Sequence, residues 1–314
     1  MSEPLVHIRN FRMDFGSQTV VRDLSFDVNA GETFGFLGSN GSGKTTTLRA
    51  LLGIYQATAG TLHIAGKAFE PRDGVRLGYL PEERGLYKKE SVLDVMVYFG
   101  MLKGLSRQEA TSRSVAYLER VSLADKASTR VDKLSGGQQQ KIQLGVTIMN
   151  DPELLILDEP TQGFDPVNRR LLMDIIEDQK RSGATVIMVT HQMEEVERLC
   201  DRVILLKDGV AEAYGTIEDV QDLYGGTIIR LHHSGTLPAS DLYDVTMAEH
   251  DYAELTPKAG TDETDILRDL VHQGVEVRSF TTARTSLEEI FIKVYGEQDL
   301  GENTLSEQNL PVGA

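Results

Sequence analysis

A glycine-rich octapeptide between an apolar run and a helical run constrains the fold of this chain more than any other feature. It reads Gly38-Ser39-Asn40-Gly41-Ser42-Gly43-Lys44-Thr45. The apolar run 33–37 precedes it and the helical run 46–52 follows, so its glycines can curl the backbone until successive N–H groups face inward at the positive end of a helix. This order predicts a phosphate-binding loop in an α/β fold. We expect Lys44 to reach the β- and γ-phosphates, Thr45 to place its hydroxyl on Mg²⁺, and Thr46 to join the nucleotide contacts.

Two adjacent acids end a second apolar run. Leu154-Leu155-Ile156-Leu157 is followed by Asp158 and Glu159, so one strand tip is expected to present both carboxylates. Asp158 is then a candidate Mg²⁺ ligand, commonly through water, and Glu159 is placed to orient or deprotonate an attacking water. Together with the phosphate-binding loop, the acid pair predicts nucleotide hydrolysis.

A third segment distinguishes between classes of nucleotide enzyme, because phosphate-binding loops also serve kinases and GTPases. It reads Leu134-Ser135-Gly136-Gly137-Gln138, and the sequence contains no Asn-Lys-x-Asp segment of the kind that reads guanine. The segment resembles the signature of ATP-binding cassette (ABC) ATPases. Small residues that open a helix form an anion site, to which Ser135 adds a hydroxyl. In that family the signature contacts the ATP of the other subunit, so the resemblance implies a head-to-tail homodimer that encloses two nucleotides.

Two further positions match the same family pattern. His191 follows the apolar run 185–189, where the family has its switch histidine against the γ-phosphate. Asp165 lies where the family has an interface loop that acts across the dimer. Gln162 and Phe164 replace the commoner Ser and Leu of that loop, which puts its fine geometry in doubt.

Two positions depart from the commoner family residues. Phe15 stands where an aromatic side chain, usually Tyr, stacks on adenine, and a place in the strand core is its alternative. Glu82 replaces a Gln whose amide contacts Mg²⁺ and the hydrolytic water and reports the nucleotide state to the membrane partner. A carboxylate can still ligate Mg²⁺, but it adds negative charge near the γ-phosphate. We therefore predict that Glu82 acts in coupling.

The predicted fold is an α/β ABC cassette over residues 1–225, with an antiparallel β portion and a helical insertion at about 88–135. A small C-terminal α/β domain is expected over 226–296, with a capping box at Ser286 and Glu289, and a disordered tail over 297–314. The segments Leu-Pro-Glu-Glu-Arg-Gly-Leu-Tyr and Thr-Ser-Leu-Glu-Glu-Ile-Phe resemble drug- and sodium-exporter cassettes that carry an appended domain.

Composition limits the partners and the cellular location that are expected of the protein. Its net charge of −16, from 48 acidic and 32 basic residues, disfavours a nucleic-acid-binding protein. No apolar run approaches the roughly 18 residues of a membrane-spanning helix, and no secretory signal is visible. These features predict a cytoplasmic protein, and the resemblance to ABC ATPases implies that a permease holds it at the inner face of the cell membrane. The single cysteine, Cys200, is expected to be a core thiol.

The sequence as a whole predicts an ATP-binding and ATP-hydrolysing subunit that powers a separate membrane permease, with export as the expected direction. Four apolar side chains are candidates for the groove that receives the permease or, alternatively, for the core of the insertion: Tyr87, Val92, Met96 and Tyr98.

Two other functions of the chain stay open. One is a soluble ABC-type ATPase of translation or DNA repair, although the chain lacks the second cassette and the long insertions usual there. The other is a non-catalytic cassette, which the intact catalytic positions disfavour.

Overall fold

The fold is described from a computed structural model, which covers residues 4–70, 75–83 and 85–296. The predicted disordered tail at 297–314 lies outside these described residues. The chain divides into two compact units between Thr216 and Ile217, earlier in the sequence than the predicted boundary at Gly225. Among the described residues, no helix is both long and apolar enough to cross a bilayer.

The first unit is built on one mixed sheet. Its strands, among the described residues, are β1 Val6–Phe15, β2 Gln18–Val28, β3 Thr33–Gly38, β4 Ala59–Ile64, β5 Leu77–Leu80, β6 Leu154–Asp158, β7 Thr185–Val189, β8 Arg202–Lys207 and β9 Val210–Thr216. They are ordered β4-β1-β2-β9-β8-β3-β7-β6-β5. β1 pairs antiparallel with β2 and β4, whereas β8, β3, β7, β6 and β5 run parallel. This confirms the predicted α/β cassette with an antiparallel portion.

The parallel strands are short apolar runs because both faces of this part of the sheet are covered. Every residue of β3, β6 and β7 is buried. Cys200 is buried as predicted, and an added Cβ at Gly35 of β3 would lie 3.1 Å from its Sγ. Since parallel strands end at the same edge, the segments that follow β3, β6 and β7 come together there. Those segments are the phosphate-binding loop, the acid pair and the His191 loop.

The helices of the first unit cover this sheet and form the predicted insertion. They are α1 Lys44–Leu51, α2 Val92–Leu102, α3 Arg107–Arg120, α4 Gly136–Ile148, α5 Pro166–Arg181 and α6 Met193–Leu199. Val92 and Met96 of α2 are fully buried, and α2 packs against α3 and α4. Tyr87 and Tyr98 are exposed. The four candidates for the permease groove therefore divide, with two in the core and two on the surface.

The second unit is a small α/β domain, as predicted. It contains α7 Ile217–Tyr224, β10 Thr227–Ser234, β11 Tyr243–Ala248, β12 Tyr252–Pro257, α8 Glu263–His272, β13 Glu276–Arg284 and α9 Leu287–Tyr295. The strands form an antiparallel sheet ordered β11-β12-β10-β13. The capping box is present at the start of α9, where the Ser286 and Glu289 side chains each accept a hydrogen bond from the other's backbone N–H. Helix α7 packs against α9, which is why the unit begins at Ile217.

Candidate nucleotide site

The phosphate-binding loop joins β3 to α1, and its glycines are required by close contacts. A Cβ on Gly38 would lie 2.4 Å from the carbonyl oxygen of Leu206. Gly43 has φ of 106° and caps α1 without any side-chain hydrogen bond, so the N–H groups of the first turn remain available to an anion. Ser42 Oγ is buried and has no hydrogen-bond partner within the described residues. An orphaned hydroxyl in this loop fits a ligand rich in acceptor oxygens.

Lys44 lies at the start of α1 and contacts its own loop. Its Nζ donates to the carbonyl oxygens of Gly38 at 2.7 Å and Ser39 at 2.8 Å. Burial lowers the pKa of Lys44, while the negative charges of Glu159, Asp158 and Glu82 oppose that change. The ammonium group is therefore held among acceptors and carboxylates, in a place where it can meet phosphate oxygens.

Two of the residues expected to bind Mg²⁺, Thr45 of α1 and Asp158 at the end of β6, are in contact. Asp158 is 2% exposed, and Thr45 Oγ1 donates to its Oδ2 at 3.3 Å. Burial, together with the charges of Glu159 and Glu82, raises the pKa of Asp158 to about 6. A desolvated carboxylate beside other carboxylates would be relieved by a divalent cation. A hydroxyl and a carboxylate also form the oxygen donor set that Mg²⁺ prefers, so these residues fit the cofactor.

Glu159 has a strained backbone. Its φ is 51°, in the left-handed region that few residues other than glycine adopt. Such a conformation costs of order 1–3 kcal/mol and persists where the surroundings hold it in place. One restraint is the backbone N–H of Glu159, which donates to the carbonyl oxygen of Val189 at the end of β7 at 2.9 Å. The structure thus holds Glu159, directly after β6, in a backbone conformation that costs free energy.

His191 contacts Glu159 directly. Its Nδ1 lies 3.0 Å from Glu159 Oε1, and its Nε2 lies 3.0 Å from Gln192 Nε2. The hydrogen bond to Glu159 raises the pKa of His191, against the opposing effect of burial. Because the Gln192 amide nitrogen can only donate, the arrangement favours a proton on Nδ1 that is shared with the carboxylate. Glu159 and His191 thus form a hydrogen-bonded acid–imidazole pair.

Phe15 and Glu82 occupy the rim of the site. Phe15 is 45% exposed at the end of β1, which excludes a place in the strand core. Its ring meets the ring of Tyr55 edge to face at 5.4 Å, and one face can still stack on a base. Glu82 is exposed and makes no hydrogen bond or ion pair within the described residues. It acts on Lys44 and Asp158 through its charge alone.

The signature segment forms the N-terminus of α4 and is closed by its own side chains. Ser135 Oγ accepts from Gln138 N at 3.3 Å, and Gln138 Oε1 accepts from Ser135 N at 3.0 Å. An added Cβ on Gly137 would lie 3.2 Å from the Phe164 ring, so the unusual Phe of the interface loop packs against the signature segment.

Asp165 caps α5. Its Oδ1 accepts from the backbone N–H groups of Val167 and Asn168, each at 3.0 Å. The sequence pattern assigned Asp165 only a contact across the dimer, and this capping role was missed. Gln192 and Tyr55 were missed as well, because a Gln beside a His and a Tyr after a helix match no motif.

Comparison with known protein families matches two parts of the chain. Residues 21–162 match the family "ABC transporter". Residues 215–295 match "ATP-binding protein DrrA1-3-like, C-terminal domain". The two matches correspond to the cassette core and to the second unit.

Curated relatives match over most of the chain. The linearmycin resistance ATP-binding protein LnrL of Bacillus subtilis (strain 168) is 31% identical over 93% of this chain and 98% of its own length. The Nod factor export ATP-binding protein I of Burkholderia lata is 39% identical over 70% of this chain and 76% of its own length. A solved structure titled "Structure of ATP binding subunit of ABC transporter" superposes with a TM-score of 0.65 at 29% identity, over 70% of this chain and 93% of that one. The chain belongs to the ATP-binding proteins of ABC transporters and carries a DrrA1-3-like C-terminal domain.

Proposed function

We propose that the chain binds ATP with Mg²⁺ at residues 38–45 and hydrolyses it with Glu159 as the base. One observation carries this proposal: the hydrogen-bonded pair of Glu159 and His191 lies at the same sheet edge as Lys44 and Asp158. ABC ATP-binding proteins are ATPases as a family, and every candidate catalytic position is present in this chain.

Each residue of the site has its own role in the proposed hydrolysis. The N–H groups of the phosphate-binding loop and Lys44 hold the β- and γ-phosphates, and Phe15 stacks on adenine. Mg²⁺, held by Thr45 and Asp158, would neutralise charge on the β- and γ-phosphate oxygens. Glu159 accepts a proton from the water that attacks the γ-phosphorus in line with the leaving ADP oxygen. His191 holds the Glu159 carboxylate through Nδ1–H and lies where it can contact the γ-phosphate.

We infer that ATP closes a homodimer in which the signature segment of one protomer meets the ATP of the other. Ser135 is exposed, and the N-terminus of α4 forms an anion site of its own. Beside the interface loop, Val167 is 79% exposed. This apolar side chain is available for a contact between two copies. Hydrolysis would reopen the dimer, because ATP stabilises only the closed state.

We infer further that the dimer powers a separate membrane permease from the cytoplasmic face, in the direction of export. Its relatives include a linearmycin resistance ATP-binding protein and a Nod factor export ATP-binding protein. On this chain, Tyr87, Tyr98 and Phe99 form an aromatic cluster with ring centroids 5.6–5.8 Å apart. Two of these rings are exposed, and they supply an apolar surface for a helix of the permease.

Glu82 lies in the segment that leads from β5 towards this aromatic cluster, and its charge reaches Lys44 and Asp158. We propose that it links the nucleotide state to the permease. A Glu82→Ala chain should lose transport in membranes more than it loses ATP hydrolysis. Unchanged hydrolysis together with unchanged transport would exclude this role.

Phosphate release by the purified chain tests the proposed activity. With ATP and Mg²⁺, the unaltered chain should release phosphate, and a Glu159→Gln chain should release almost none. Purification from gently solubilised membranes of the native host tests the partner. A stoichiometric polytopic membrane protein is the expected companion, whereas ribosomal or repair proteins alone would contradict the transport proposal.

A further inference from the structure

We propose that Glu195 is a positioning residue that ties the loop after Glu159 to the loop before His191. The inference deepens the proposed ATPase function and rests on it. Glu195 lies in α6, outside every sequence motif identified above. Its side chain is almost completely enclosed, with a residue exposure of 2%.

The two carboxylate oxygens of Glu195 serve different loops. Thr161 Oγ1 donates to Oε1 at 2.5 Å, and Thr190 Oγ1 is 3.4 Å from Oε2. Both threonines are buried, at 1% exposure each. A single buried side chain therefore contacts two segments that are distant in sequence.

These threonines flank the catalytic pair. Thr161 follows Glu159 by two residues, and Thr190 directly precedes His191. Thr190 Oγ1 also accepts from the backbone N–H of Gln192 at 3.1 Å, which fixes the turn on the other side of His191. The bridge through Glu195 therefore adds to the backbone hydrogen bond from Glu159 to Val189. Together they set the distance of 3.0 Å between His191 Nδ1 and Glu159.

The charge of Glu195 is poorly compensated, which argues against a purely stabilising role. The nearest cationic atom, Arg169 Nε, lies 3.7 Å from Oε1, and this buried nitrogen has no hydrogen-bond partner within the described residues. Burial also raises the pKa of Glu195. A buried carboxylate with an incomplete ion pair contributes little or negative net stability. What it supplies here is two acceptors in a fixed geometry, one for each catalytic loop.

Four variants test the inference through separate readouts. They are Glu195→Ala, Glu195→Gln, the pair Thr161→Val with Thr190→Val, and the control Glu194→Gln, an exposed acid on the same helix. Since misplacing reacting groups by about 1 Å can cost of order 100-fold in rate, we expect kcat of the Glu195→Ala chain to fall about 10- to 100-fold. The ATP dissociation constant should stay within about twofold, because Glu195 does not touch the phosphate-binding loop. The control should keep its kcat.

Whether the kcat losses of the variants add together shows if Glu195 acts through the two threonines. If Glu195 acts through the threonines, the double valine chain should lose about as much kcat as Glu195→Ala, and combining all three changes should cost no further activity. Additive losses, or a kcat equal to that of the control, would overturn the inference. The Glu195→Gln chain keeps the side-chain shape but offers one acceptor oxygen in place of two. Its kcat should therefore also fall below that of the control, and a kcat equal to the control would overturn the inference even if the alanine chain fails to fold.

Failure of the inference can be separated from failure of the proposed function. If the unaltered chain hydrolyses ATP and Glu159→Gln abolishes hydrolysis while the Glu195 variants remain fully active, only the positioning role is lost. If the unaltered chain does not hydrolyse ATP, the proposed function fails. The positioning role is then judged by the separation of His191 Nδ1 and Glu159 in crystals of the Glu195→Gln or double valine chain. The separation should exceed hydrogen-bond distance, and an unchanged 3.0 Å would contradict the inference.

Discussion

Two glycine-containing helix N-termini of the first unit, those of α1 and α4, differ in how their first turns are satisfied. The N-cap residue of α1 is Gly43, which offers no side-chain cap, and Ser42 Oγ nearby has no partner among the described residues. The N-cap residue of α4 is Ser135, which forms a capping box with Gln138. Both termini carry the positive end of a helix dipole. The first has no side-chain cap, whereas in the second the N–H group of Gln138 already has a side-chain acceptor and the first two N–H groups of the helix are left for an anion.

The comparison extends to the surroundings of the two termini. Near α1, Asp158 is buried with a raised pKa and Glu159 has a left-handed backbone, so this region holds unfavourable charge and strain. Near α4, the capping box supplies two hydrogen bonds and the Phe164 ring packs beside Gly137. We propose that the α1 region is organised around a ligand that it binds within one chain. Under the same proposal, the α4 region contributes to binding only when a second protomer brings the phosphates to it.

The largest expected effect is on the reaction itself. A Glu159→Gln chain should lose about 10²- to 10⁴-fold in kcat, because it lacks the general base. Its ATP affinity should be retained, since the phosphate-binding loop is intact. Steady-state phosphate release and equilibrium ATP binding measure the two effects. Full turnover by this chain would remove Glu159 from the mechanism.

The next effect is on the stability of the metal-free protein. The pKa of Asp158 is raised from 3.8 to about 6 in the folded chain. The folded state therefore holds the proton more tightly than the unfolded state, and stability is lost as pH rises from about 4 to about 6. At about 1.4 kcal/mol per pH unit, the ionised carboxylate costs about 3 kcal/mol above that range.

An Asp158→Asn chain removes that cost. Without metal at pH 7 it should be more stable than the unaltered chain by about 3 kcal/mol, and the difference should vanish below about pH 4. Urea unfolding at a series of pH values measures it. Equal stability at pH 7 would show that the α1 region holds no unfavourable charge, which would break the comparison with α4.

Lys44→Ala should weaken ATP binding by the isolated chain. Losing hydrogen bonds from a charged donor costs about 1.5–3 kcal/mol, or roughly 10- to 100-fold in affinity. Titration with ATP under conditions that keep the chain monomeric measures this loss. A Ser135→Ala chain is the matched control, because it alters the other helix terminus. Equal losses in both chains would mean that one protomer uses both termini.

Ser135→Ala should have the smallest effect on the single chain. Loss of a serine N-cap costs about 1 kcal/mol of stability, which thermal unfolding detects. Affinity for ATP in the monomer should not change, whereas hydrolysis should fall as dimerisation weakens. A drop in monomer ATP affinity would contradict the assignment of Ser135 to the partner's site.

The sequence predicted the chemistry-bearing strands well because their ends are marked by motifs. β3, β6 and β7 lie at or within one residue of the predicted runs. β4 and β5 were not predicted, since β4 is a largely exposed edge strand with a glycine and β5 has only four residues. Such strands are defined by their neighbours in the sheet and carry little pattern of their own.

In the candidate site, too, the residues in motifs were predicted and the residues outside motifs were missed. Residues that contact nucleotide in the family belong to local motifs, and the structure brings Lys44, Asp158, Glu159 and His191 to one sheet edge. Glu195 was missed because its role depends on two hydroxyl groups contributed by other loops. Contacts between residues distant in sequence leave no periodic or motif signal. For the same reason, the sequence did not predict the packing of Phe164 on Gly137.

The central claim is that the open terminus of α1 and the closed terminus of α4 meet across a dimer that ATP holds together. Sedimentation velocity of the Glu159→Gln chain, with and without ATP and Mg²⁺, tests it most directly. We expect a monomer without ATP, a dimer with one nucleotide bound per chain when ATP is saturating, and no dimer when Ser135→Ala is added. A Glu159→Gln chain that binds ATP fully and remains a monomer would contradict the account.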